Sequence, residues 1–579
     1  MKELFARYTN AVTKHRSLKP LLWLTEHVRT IPSGDKLIVG VIGVAITISS
    51  IAGMFALERS FLVPVPAHGG ILTEGEVGSP RFVNPLLAIT DADRDVTALT
   101  YAGLMGLSGD GTLVPVLAKS YTVSPDGKTY TFVIRNNAKF SDGTNVTAKD
   151  VAFTVQKAED STLKSPQFAN WNGITVDAIN SHTVRFTLPK PYAPFLENTT
   201  LGILPAHLWR NVPDEQFPFT NLTIKPVGAG PFVVSNVVHD ASGIITEYDL
   251  SASKNYVLGE PYLNGIHMRF YARESDLANA LAGGEVESAY GIPFAGAKTA
   301  PFSSVFGVFF NADKNPVFTN LPVRKALSLA INRKYITDKV LHGYATELFG
   351  PVPPGSGVKI PTVTDKKDYL ATAASVLEKA GWTYDGVARQ WVQRRKKLTF
   401  SSITIKTSNV PELKAVASAV RNDWKKLGID VSIELYEPGD LNQNVIRPRK
   451  YEALLFGMVI GRDQDLFAFW HSSQQKDPGL NIALYANKKV DALLEDERTN
   501  DNASDRLKDL DSIESDISAD YPAAFTHTPK FIYALPNNIR GVKIPQITIP
   551  ADRFATVAKW YKDIDYVWPF LAQNSTISK

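Results

Sequence analysis

One uncharged run near the N-terminus constrains this chain more than any other feature. The run extends from Leu37 to Leu57, LIVGVIGVAITISSIAGMFAL, and contains 21 residues. As an α-helix it would be about 31 Å long, which is enough to cross the hydrocarbon core of a bilayer. Because the run is apolar on all sides, an amphipathic helix of a soluble core is disfavoured. We therefore predict a transmembrane helix at 37–57.

Basic residues precede this run and predict its orientation. They are Lys2, Arg7, Lys14, Arg16, Lys19, Arg29 and Lys36. By the positive-inside rule, residues 1–36 stay in the cytoplasm and everything after residue 60 lies outside, which predicts a single-pass protein of the cell membrane. A cleaved signal peptide is the alternative. It is disfavoured because 36 residues are long for the segment before its apolar core, and no clear small-x-small cleavage site follows.

The charge of the exterior part is balanced. The chain has 62 Lys and Arg and 58 Asp and Glu, and without the eight bases and four acids of residues 1–59 there remain 54 of each. A neutral body lacks the basic excess of nucleic-acid binders, so no nucleic-acid partner is expected.

The chain has no cysteine, which excludes disulfides, thiolate chemistry and a lipid attached through cysteine.

Beyond the membrane run, the pattern predicts a short linker and then a mixed α/β body. Residues 58–70 include FLVPVPAHGG, whose prolines and glycines are typical of an extended tether. The body begins near Ile71. Alternation around Tyr130, Phe132 and Ile134 predicts a strand, and the Asp-Gly turns of SPDGK and SDG on either side predict β-hairpins. Thr147 is predicted to cap a helix by accepting from the backbone N–H three residues later.

The second half of the body alternates helices and strands. Helices are predicted at Val323–Val340, with its basic residues on the outer side, at Tyr369–Ala380 and at Val410–Leu427. Glycine follows the last two helices as a C-terminal cap. The β-branched segment Ile429–Tyr436 comes next, which indicates an α/β lobe distinct from the β-rich first part.

Motifs for catalysis or cofactor binding are absent from the sequence. Gly228-Ala229-Gly230 lacks the lysine of a phosphate-binding loop and is interpreted as a tight turn. The ten histidines are scattered and form no HExxH motif, and no serine lies in a G-x-S-x-G elbow. No catalytic residue, metal or cofactor is therefore predicted, although carboxylates distant in sequence could meet in the fold.

Several motifs are spread from residue 70 to about residue 570. The most specific is GDGTLVPVLAKSYTVSPDGKTYTFVIRNNAKFSDGTNVTAKDVAFTV at 109–155. The others are Asn84-Pro85-Leu86, ILPAHLW at 203–209, VGAGPF at 227–232, SKNYVLGEPYLNGI at 253–266, ALAGGEVESAY at 280–290, FFNADKNPVFTNLPVRKALSLAINRKYI at 309–336, AASVLEKAGW at 373–382, KKLGIDVSI at 425–433 and LYANKKVDALLEDER at 484–498. In order and spacing, these motifs resemble one family, the extracytoplasmic solute-binding proteins of peptide ABC importers, known as the dipeptide- and oligopeptide-binding proteins of family 5.

The resemblance implies a two-lobed α/β periplasmic-binding-protein fold of type II, in the large peptide-binding class. Residues 71–305 and 530–579 would form lobe 1, with an inserted β-rich subdomain, and residues 306–529 would form lobe 2. A peptide would bind in the cleft between the lobes through its main chain and termini, in the manner of extended peptides generally. Ligand contacts to both lobes would stabilise a closed shape that permease subunits recognise.

The resemblance also implies a binding acid, and this sequence departs from it. Many members carry W-x-D-Y-x-x-P, whose acid pairs with the peptide's amino group. Here the gapless register places Arg462 at that acid and Leu466 at the proline. Arg462 would favour a carboxylate, since a guanidinium offers a bidentate fork, and Asp463 or Asp465 could replace the missing acid. The alternative interpretation is a solvated cluster of ion pairs in a loop.

The other candidate ligand-binding residues lie at the predicted cleft. They are Glu76, Val77, Gly78 and Ser79 at its rim, Trp171 and Trp470 as walls, and Tyr290 and Asn311. Either tryptophan could instead belong to a hydrophobic core, which is the commoner place for this residue.

Three functions remain open from the sequence. The first is a membrane-anchored, monomeric, non-enzymatic binding protein that captures peptides or a related solute and delivers them to an ABC transporter permease. The second is a surface sensor or assembly factor with the same fold, for which the 36 cytoplasmic residues leave room for an inner partner. The third is an extracytoplasmic hydrolase with two carboxylates, which no motif supports.

Overall fold

The computed structural model describes residues 32–359, 368–500, 502–570 and 572. The chain divides into two compact units, one made of residues 1–67 with 564–579 and the other of His68–Asp563. Each unit is described by itself below.

The strands are numbered in chain order. They are β1 (Val63–Pro66), β2 (Ile71–Val77), β3 (Met105–Leu107), β4 (Leu113–Pro115), β5 (Ala118–Val123), β6 (Thr129–Ile134), β7 (Thr175–Ala178), β8 (Thr183–Thr187), β9 (Phe232–His239), β10 (Ile245–Ala252), β11 (Gly265–Tyr271), β12 (Ser288–Tyr290), β13 (Lys298–Pro301), β14 (Ser304–Phe310), β15 (Ala345–Glu347), β16 (Thr383–Asp385), β17 (Gln390–Gln393), β18 (Leu398–Phe400), β19 (Ser402–Ser408), β20 (Asp430–Tyr436), β21 (Ala453–Val459), β22 (Ala523–Ala534) and β23 (Ile564–Val567).

The longer helices are numbered in the same way. They are α1 (Ser33–Phe61), α2 (Asp91–Thr100), α3 (Ala148–Ala158), α4 (Glu274–Gly283), α5 (Leu321–Leu329), α6 (Tyr369–Lys379), α7 (Pro411–Lys426), α8 (Lys488–Thr499) and α9 (Ala503–Asp520). Short helical segments lie at Phe168–Trp171, Phe195–Asn198, Ala206–Trp209, Asp214–Phe219, Asn221–Thr223, Pro316–Thr319, Arg333–Tyr335, Ile336–Val340, Arg394–Lys396, Pro438–Asp440, Leu441–Ile446, Phe467–Trp470, Ser472–Gln474 and Pro550–Lys559.

The first unit consists of α1 and a two-stranded ribbon. Within α1 the 21 residues Gly34–Met54 have a mean hydropathy of 2.3 and none is buried, so the helix has the length and composition to cross a membrane. The helix continues to Phe61, and β1 then pairs with β23 in antiparallel register. The predicted linker at 58–70 is thus a helix end followed by a paired strand, and it is not a free tether.

A twelve-stranded sheet organises the second unit. Its order is β20-β19-β21-β14-β22-β12-β2-β11-β10-β9, and β13 and β15 also pair with β22. Strand β22 runs through both parts of the sheet, because its first half pairs with β14 and β15 and its second half pairs with β12 and β13. The chain therefore passes between the two parts twice, once from β13 to β14 and once along β22.

The hydrophobic cores follow the same division. Two of them use residues 305–525 and lie around β14 and β21. The others use residues 72–300 together with residues from 531 to 560. The lobe boundaries at 305/306 and 529/530 stay predictions. The described residues from Ile564 onward, predicted as part of lobe 1, belong to the unit of α1, because β23 pairs with β1.

The predicted hairpin region is an antiparallel sheet of order β5-β6-β8-β7. Tyr130, Phe132 and Ile134 are buried as the alternation predicts, and the Asp126-Gly127 turn joins β5 to β6. The cap of α3 differs in one detail. The Thr147 hydroxyl donates to the Asp150 carboxylate at 2.6 Å, and this carboxylate also accepts from the Thr147 backbone N–H at 2.8 Å.

Two of the three predicted helices of the second half are confirmed with small shifts in their ends, as α6 and α7. The third, predicted at Val323–Val340, is interrupted after α5. Arg333 points inward and is buried, and its guanidinium donates to the carbonyl oxygens of Ser328, Leu348 and Phe525. The outward basic face predicted for this helix is therefore wrong at Arg333, since its donors are satisfied by interior carbonyl groups.

Candidate ligand-binding site

Arg462 lies in the loop between β21 and the short helix Phe467–Trp470, and it contacts two carboxylates from other short helices, Glu197 in Phe195–Asn198 and Asp552 in Pro550–Lys559. Its Nη1 is 3.3 Å from Glu197 Oε2, and its Nη2 is 2.7 Å from Asp552 Oδ2. Arg462 Nε is buried and has no hydrogen-bond partner within the described part of the chain. This guanidinium therefore joins the two predicted lobes and keeps one unused donor.

Asp552 is positioned by the start of a 3-10 helix. The backbone N–H groups of Thr548 and Ile549 donate to Asp552 Oδ2 at 2.7 and 3.0 Å. Burial raises the pKa of the Asp552 carboxyl, and the charge of Arg462 and these hydrogen bonds oppose that effect. The local backbone thus holds an acceptor in place for Arg462.

A second contact between the two predicted lobes involves Arg498 of α8. Its Nε is 2.9 Å from Asp465 Oδ2, and its guanidinium lies over the rings of Phe467 and Tyr192 at 4.4 and 5.2 Å. The Ala193 backbone N–H donates to the Arg498 carbonyl oxygen at 2.9 Å. Arg498 therefore fixes the segment at 192–193 against the loop that carries Arg462.

The acids of this region hold protons more tightly than acids in water. Burial raises the pKa of Glu197 to about 7, with Arg462 opposing and the nearby acids Asp463 and Asp552 adding to the shift. Burial and the neighbouring Asp465 raise the pKa of Asp463 to about 6. Burial likewise raises the pKa of Glu497 to about 7, against the charge of Arg506. The region is therefore a mostly desolvated network of ion pairs.

Glu76 lies in another buried network, below the surface of lobe 1. Nearby, Arg553 is fully buried and donates from Nε and Nη2 to Glu74 Oε1 at 3.1 and 2.9 Å, and it also pairs with Asp95. Burial, followed by the neighbouring Asp95 carboxylate, raises the pKa of Glu76 well above its ordinary value. The Glu76 carboxyl is thus held toward its neutral form. Tyr290 borders this network, since the Arg553 guanidinium lies 4.7 Å from its ring centre.

The structure places the remaining rim candidates at the end of β2. Val77 and Gly78 are exposed, and Gly78 has a φ of +105° that favours glycine. The Ser79 hydroxyl donates to the Ile245 carbonyl oxygen at 2.7 Å. The Tyr290 hydroxyl donates to Asp91 Oδ2 at 2.9 Å.

Three candidates have structural partners in the interior. Trp171 packs in the core around Phe132 and Phe186, and Trp470 packs in the core around Phe309, so both occupy the alternative position that the sequence left open. Asn311 is buried and donates from Nδ2 to the Arg449 carbonyl oxygen at 3.1 Å.

The partners of Arg462 were missed in the sequence. Glu197 is 265 residues away and Asp552 is 90 residues away, and neither lies in a motif. Tyr192 and Arg553 were missed for the same reason, whereas Arg498 ends the motif at 484–498 but nothing in that motif indicates its partners. The structure gathers Arg462, Asp463 and Asp465 in one network and Glu76 and Tyr290 in another. Across the described ranges, no group of three or more His, Cys, Asp or Glu side chains is placed to hold a metal ion.

Sequence comparison identifies the family. A profile described as the middle region of the bacterial extracellular solute-binding proteins, family 5, matches residues 112–479, which is more than half of the chain. The chain belongs to the bacterial extracellular solute-binding proteins of family 5. The oligopeptide-binding protein AppA of Bacillus subtilis is 27% identical to this family 5 protein over 522 residues, which cover 86% of this chain and 92% of AppA.

Solved structures confirm the fold class predicted from the sequence. The structure of AppA from Bacillus subtilis in complex with a nonapeptide superposes with a TM-score of 0.64 at 25% identity, over 86% of this family 5 chain and all of the AppA chain. The ABC transporter substrate-binding protein CtaP of Listeria monocytogenes superposes with a TM-score of 0.70 at 24% identity, over 86% of this chain and 99% of CtaP. The fold is therefore the mixed α/β fold of type II periplasmic binding proteins.

Proposed function

We propose that this family 5 protein captures peptides, or a related solute, between its two lobes and delivers them to the permease of an ABC transporter. The likeness to AppA, whose solved structure holds a nonapeptide, carries this proposal because it extends over 86% of the chain. The protein acts by binding and not by catalysis. A ligand that contacts both lobes stabilises the closed shape, and that shape is what a permease distinguishes from the open one.

Arg462 and its neighbours are the proposed polar end of the ligand site. The guanidinium already contacts the carboxylates of Glu197 and Asp552, so its position and charge suit it to bind a carboxylate. A ligand carboxylate would compete with Glu197, whose bond to Arg462 is the longer of the two. We infer that the site prefers a ligand with a free carboxylate and that Asp463 and Asp465 are the acids available to an amino group.

Helix α1 supports the proposal that the protein is anchored in the cell membrane. Its apolar span is long enough to cross the bilayer, and the basic residues before it favour a cytoplasmic N-terminus. The body at 68–563 would then face the extracytoplasmic side as a monomer, where a solute-binding protein meets its ligand. The chain has no cysteine, so the usual lipid anchor cannot be attached.

Mass spectrometry of the detergent-solubilised full chain tests the binding function. The protein is purified under native conditions, its mass is measured, and any bound molecule is released and identified. A mixture of short peptides is the expected result, because main-chain recognition tolerates many side chains.

Three other outcomes would change the proposal. A single non-peptide solute would keep the binding function and move the substrate class. A protein that stays empty after incubation with a peptide library, while remaining folded by circular dichroism, would favour the sensor or assembly function. Cleavage of the library peptides would support the hydrolase instead.

A further inference from the structure

Three exposed aromatic side chains lie at the end of the ribbon in the first unit. Tyr566, Trp568 and Phe570 are 65%, 38% and 68% exposed. We call these residues the C-terminal aromatic segment. Large aromatic groups this close together in sequence are costly to expose to water, and an exposed apolar patch commonly marks an interaction surface.

The pairing of β1 with β23 determines where the C-terminal aromatic segment lies relative to the C-terminal end of α1. Val63 pairs with Val567, and Pro66 pairs with Ile564. Because the strands are antiparallel, β1 leads away from α1 while β23 leads back toward it. Residues after Val567 are therefore brought level with Leu62 and Phe61, at the C-terminal end of the helix.

The length of α1 places that end at the surface of a bilayer. If the hydrocarbon core ends at Leu57, as the apolar run predicts, then Phe61 lies about 6 Å further out at the rise of an α-helix. The polar zone of each leaflet is about 5–8 Å thick, so Phe61 is at the headgroup level. Leu62 has an extended conformation, and β1 starts at the next residue. Trp568 and Phe570, which follow the last pair of the ribbon, thus lie nearest to this level, whereas Tyr566 pairs with Pro64, about 10 Å further along the chain than Phe61.

We propose that the C-terminal aromatic segment inserts into the interfacial layer of the outer leaflet beside α1 and binds lipid headgroups and the upper acyl chains. Tryptophan and tyrosine have an apolar ring with one polar atom, which suits them to this layer. Lipid is favoured over a protein partner because the ribbon continues directly from α1. The inference rests on the proposed membrane anchoring, and it adds a second membrane contact contributed by the opposite end of the chain.

Spin labelling of the full chain tests this contact directly, because the natural protein has no cysteine. Phe570→Cys is labelled and reconstituted in vesicles of phosphatidylcholine and phosphatidylglycerol, and its collisions with oxygen and with a water-soluble nickel chelate are measured. Ile48→Cys, in the apolar part of α1, reports on the anchor. Val387→Cys, which is 99% exposed in the turn between β16 and β17, is the aqueous control.

The ratio of collisions with oxygen to collisions with the nickel chelate should be highest for the label at residue 48 and lowest for the label at residue 387. For the label at residue 570 it should be several-fold above the value at residue 387. Replacing both Tyr566 and Trp568 with serine should lower the ratio at residue 570 toward the aqueous control. Trp568→Cys serves as a second reporter if Phe570→Cys gives little folded protein.

The outcomes separate the two proposals. A label in lipid at residue 48 with labels in water at 570 and 568 would overturn the interfacial contact and leave the anchor intact. Labels in water at all three positions would overturn the anchor itself. A ratio at 570 that does not respond to the serine pair would also overturn the role assigned to the aromatic segment.

Discussion

Arg462 Nη2 lies 2.7 Å from Asp552 Oδ2, and this ion pair joins two parts of the chain predicted to be separate lobes. Only 13% of the Arg462 side chain and 11% of the Asp552 side chain are exposed. A pair this poorly hydrated depends on both partners being present, because either charge alone would be left without water or a counter-ion. The loop at 460–466 therefore contributes a poorly hydrated ion pair between the two predicted lobes.

Arg462→Gln should lower the free energy of unfolding by about 3 kcal/mol, since Glu197 and Asp552 would lose their buried counter-charge. Arg447→Gln is the matched control, because Arg447 pairs with Asp477 on the surface, and its replacement should cost far less than that of Arg462. Denaturant unfolding of the full chain in detergent measures both values. Equal small losses would show that the pair with Asp552 is hydrated in solution.

Arg462→Glu should change the ligand preference as well as the stability. Binding of peptides with a free carboxyl terminus should weaken about tenfold or more, since a charge-assisted hydrogen bond is lost and a repulsion is added. Peptides with a free amino group and an amidated carboxyl terminus should lose less affinity for this variant, or should bind it more tightly. Competition binding with matched blocked peptides measures the change, and Arg447→Glu is the charge-matched control. An unchanged ligand profile would restrict Arg462 to lobe contact.

Stability should fall as the pH rises through the range in which Glu197 ionises. The pKa of Glu197 is raised from 4.5 to about 7 in the folded protein, so the folded state binds this proton more tightly than the unfolded chain does. The stabilisation is therefore complete below about pH 4.5 and is lost as the pH approaches 7.

Glu197→Gln should flatten this pH dependence by about 2 kcal/mol between pH 5 and pH 7.5, because glutamine does not titrate. The exposed Glu215 provides the control variant, Glu215→Gln, which should leave the slope unchanged. Unfolding curves at several pH values measure the slope. A slope unchanged by Glu197→Gln would assign the dependence to other buried acids such as Glu514, whose pKa is also raised to about 7.

Arg553→Met should destabilise the protein by about 3–5 kcal/mol, because Glu74 and Asp95 would be left buried without their cation. The double variant Arg553→Met with Glu74→Gln should recover part of the loss, since one buried negative charge is removed. Arg540→Met, at an exposed arginine, is the control. Failure of the double variant to recover any stability would show that packing of the guanidinium over its aromatic neighbours outweighs its charge.

Membrane attachment should survive inhibition of lipoprotein processing, because the chain has no cysteine to modify. A protease site inserted between Phe61 and Val63 allows the body to be cut from α1. After cleavage, an alkaline carbonate wash should release the body, because this wash removes proteins that are held only by interfacial contacts. Fractionation with an antibody against the body measures both results. Release of the uncut protein would contradict the transmembrane anchor.

Features that depend on neighbours in sequence were predicted well. The apolar helix, the Asp126-Gly127 turn and the glycines after α6 and α7 each follow from a few adjacent residues, and the structure has all of them. Gly381 and Gly428 both have positive φ, as the end of a helix before a turn requires. Hydropathy and turn chemistry act locally, so these features can be recognised before any tertiary contact is known.

Contacts between distant residues could not be predicted in the same way. The pairing of β1 with β23 joins residues near the two ends of the chain. Neither the sequence VPVP of β1 nor the sequence IDYV of β23 indicates which strand it pairs with. The break after α5 has the same origin, because Arg333 finds its acceptors in Leu348 and Phe525. The β1–β23 pairing and the break after α5 both depend on which backbone N–H and C=O groups still lack a hydrogen-bond partner after the other elements have packed.

The sequence by itself determined the family, the type II fold class and the position of the long apolar helix, because each follows from local patterns or from motifs spread along the chain. Only the tertiary structure decided that Trp171 and Trp470 are core residues, that Arg462 is paired, and that Glu76 lies among buried charges. The physical reason is that burial and ion pairing depend on what surrounds a side chain in space, and residues hundreds of positions apart supply those surroundings.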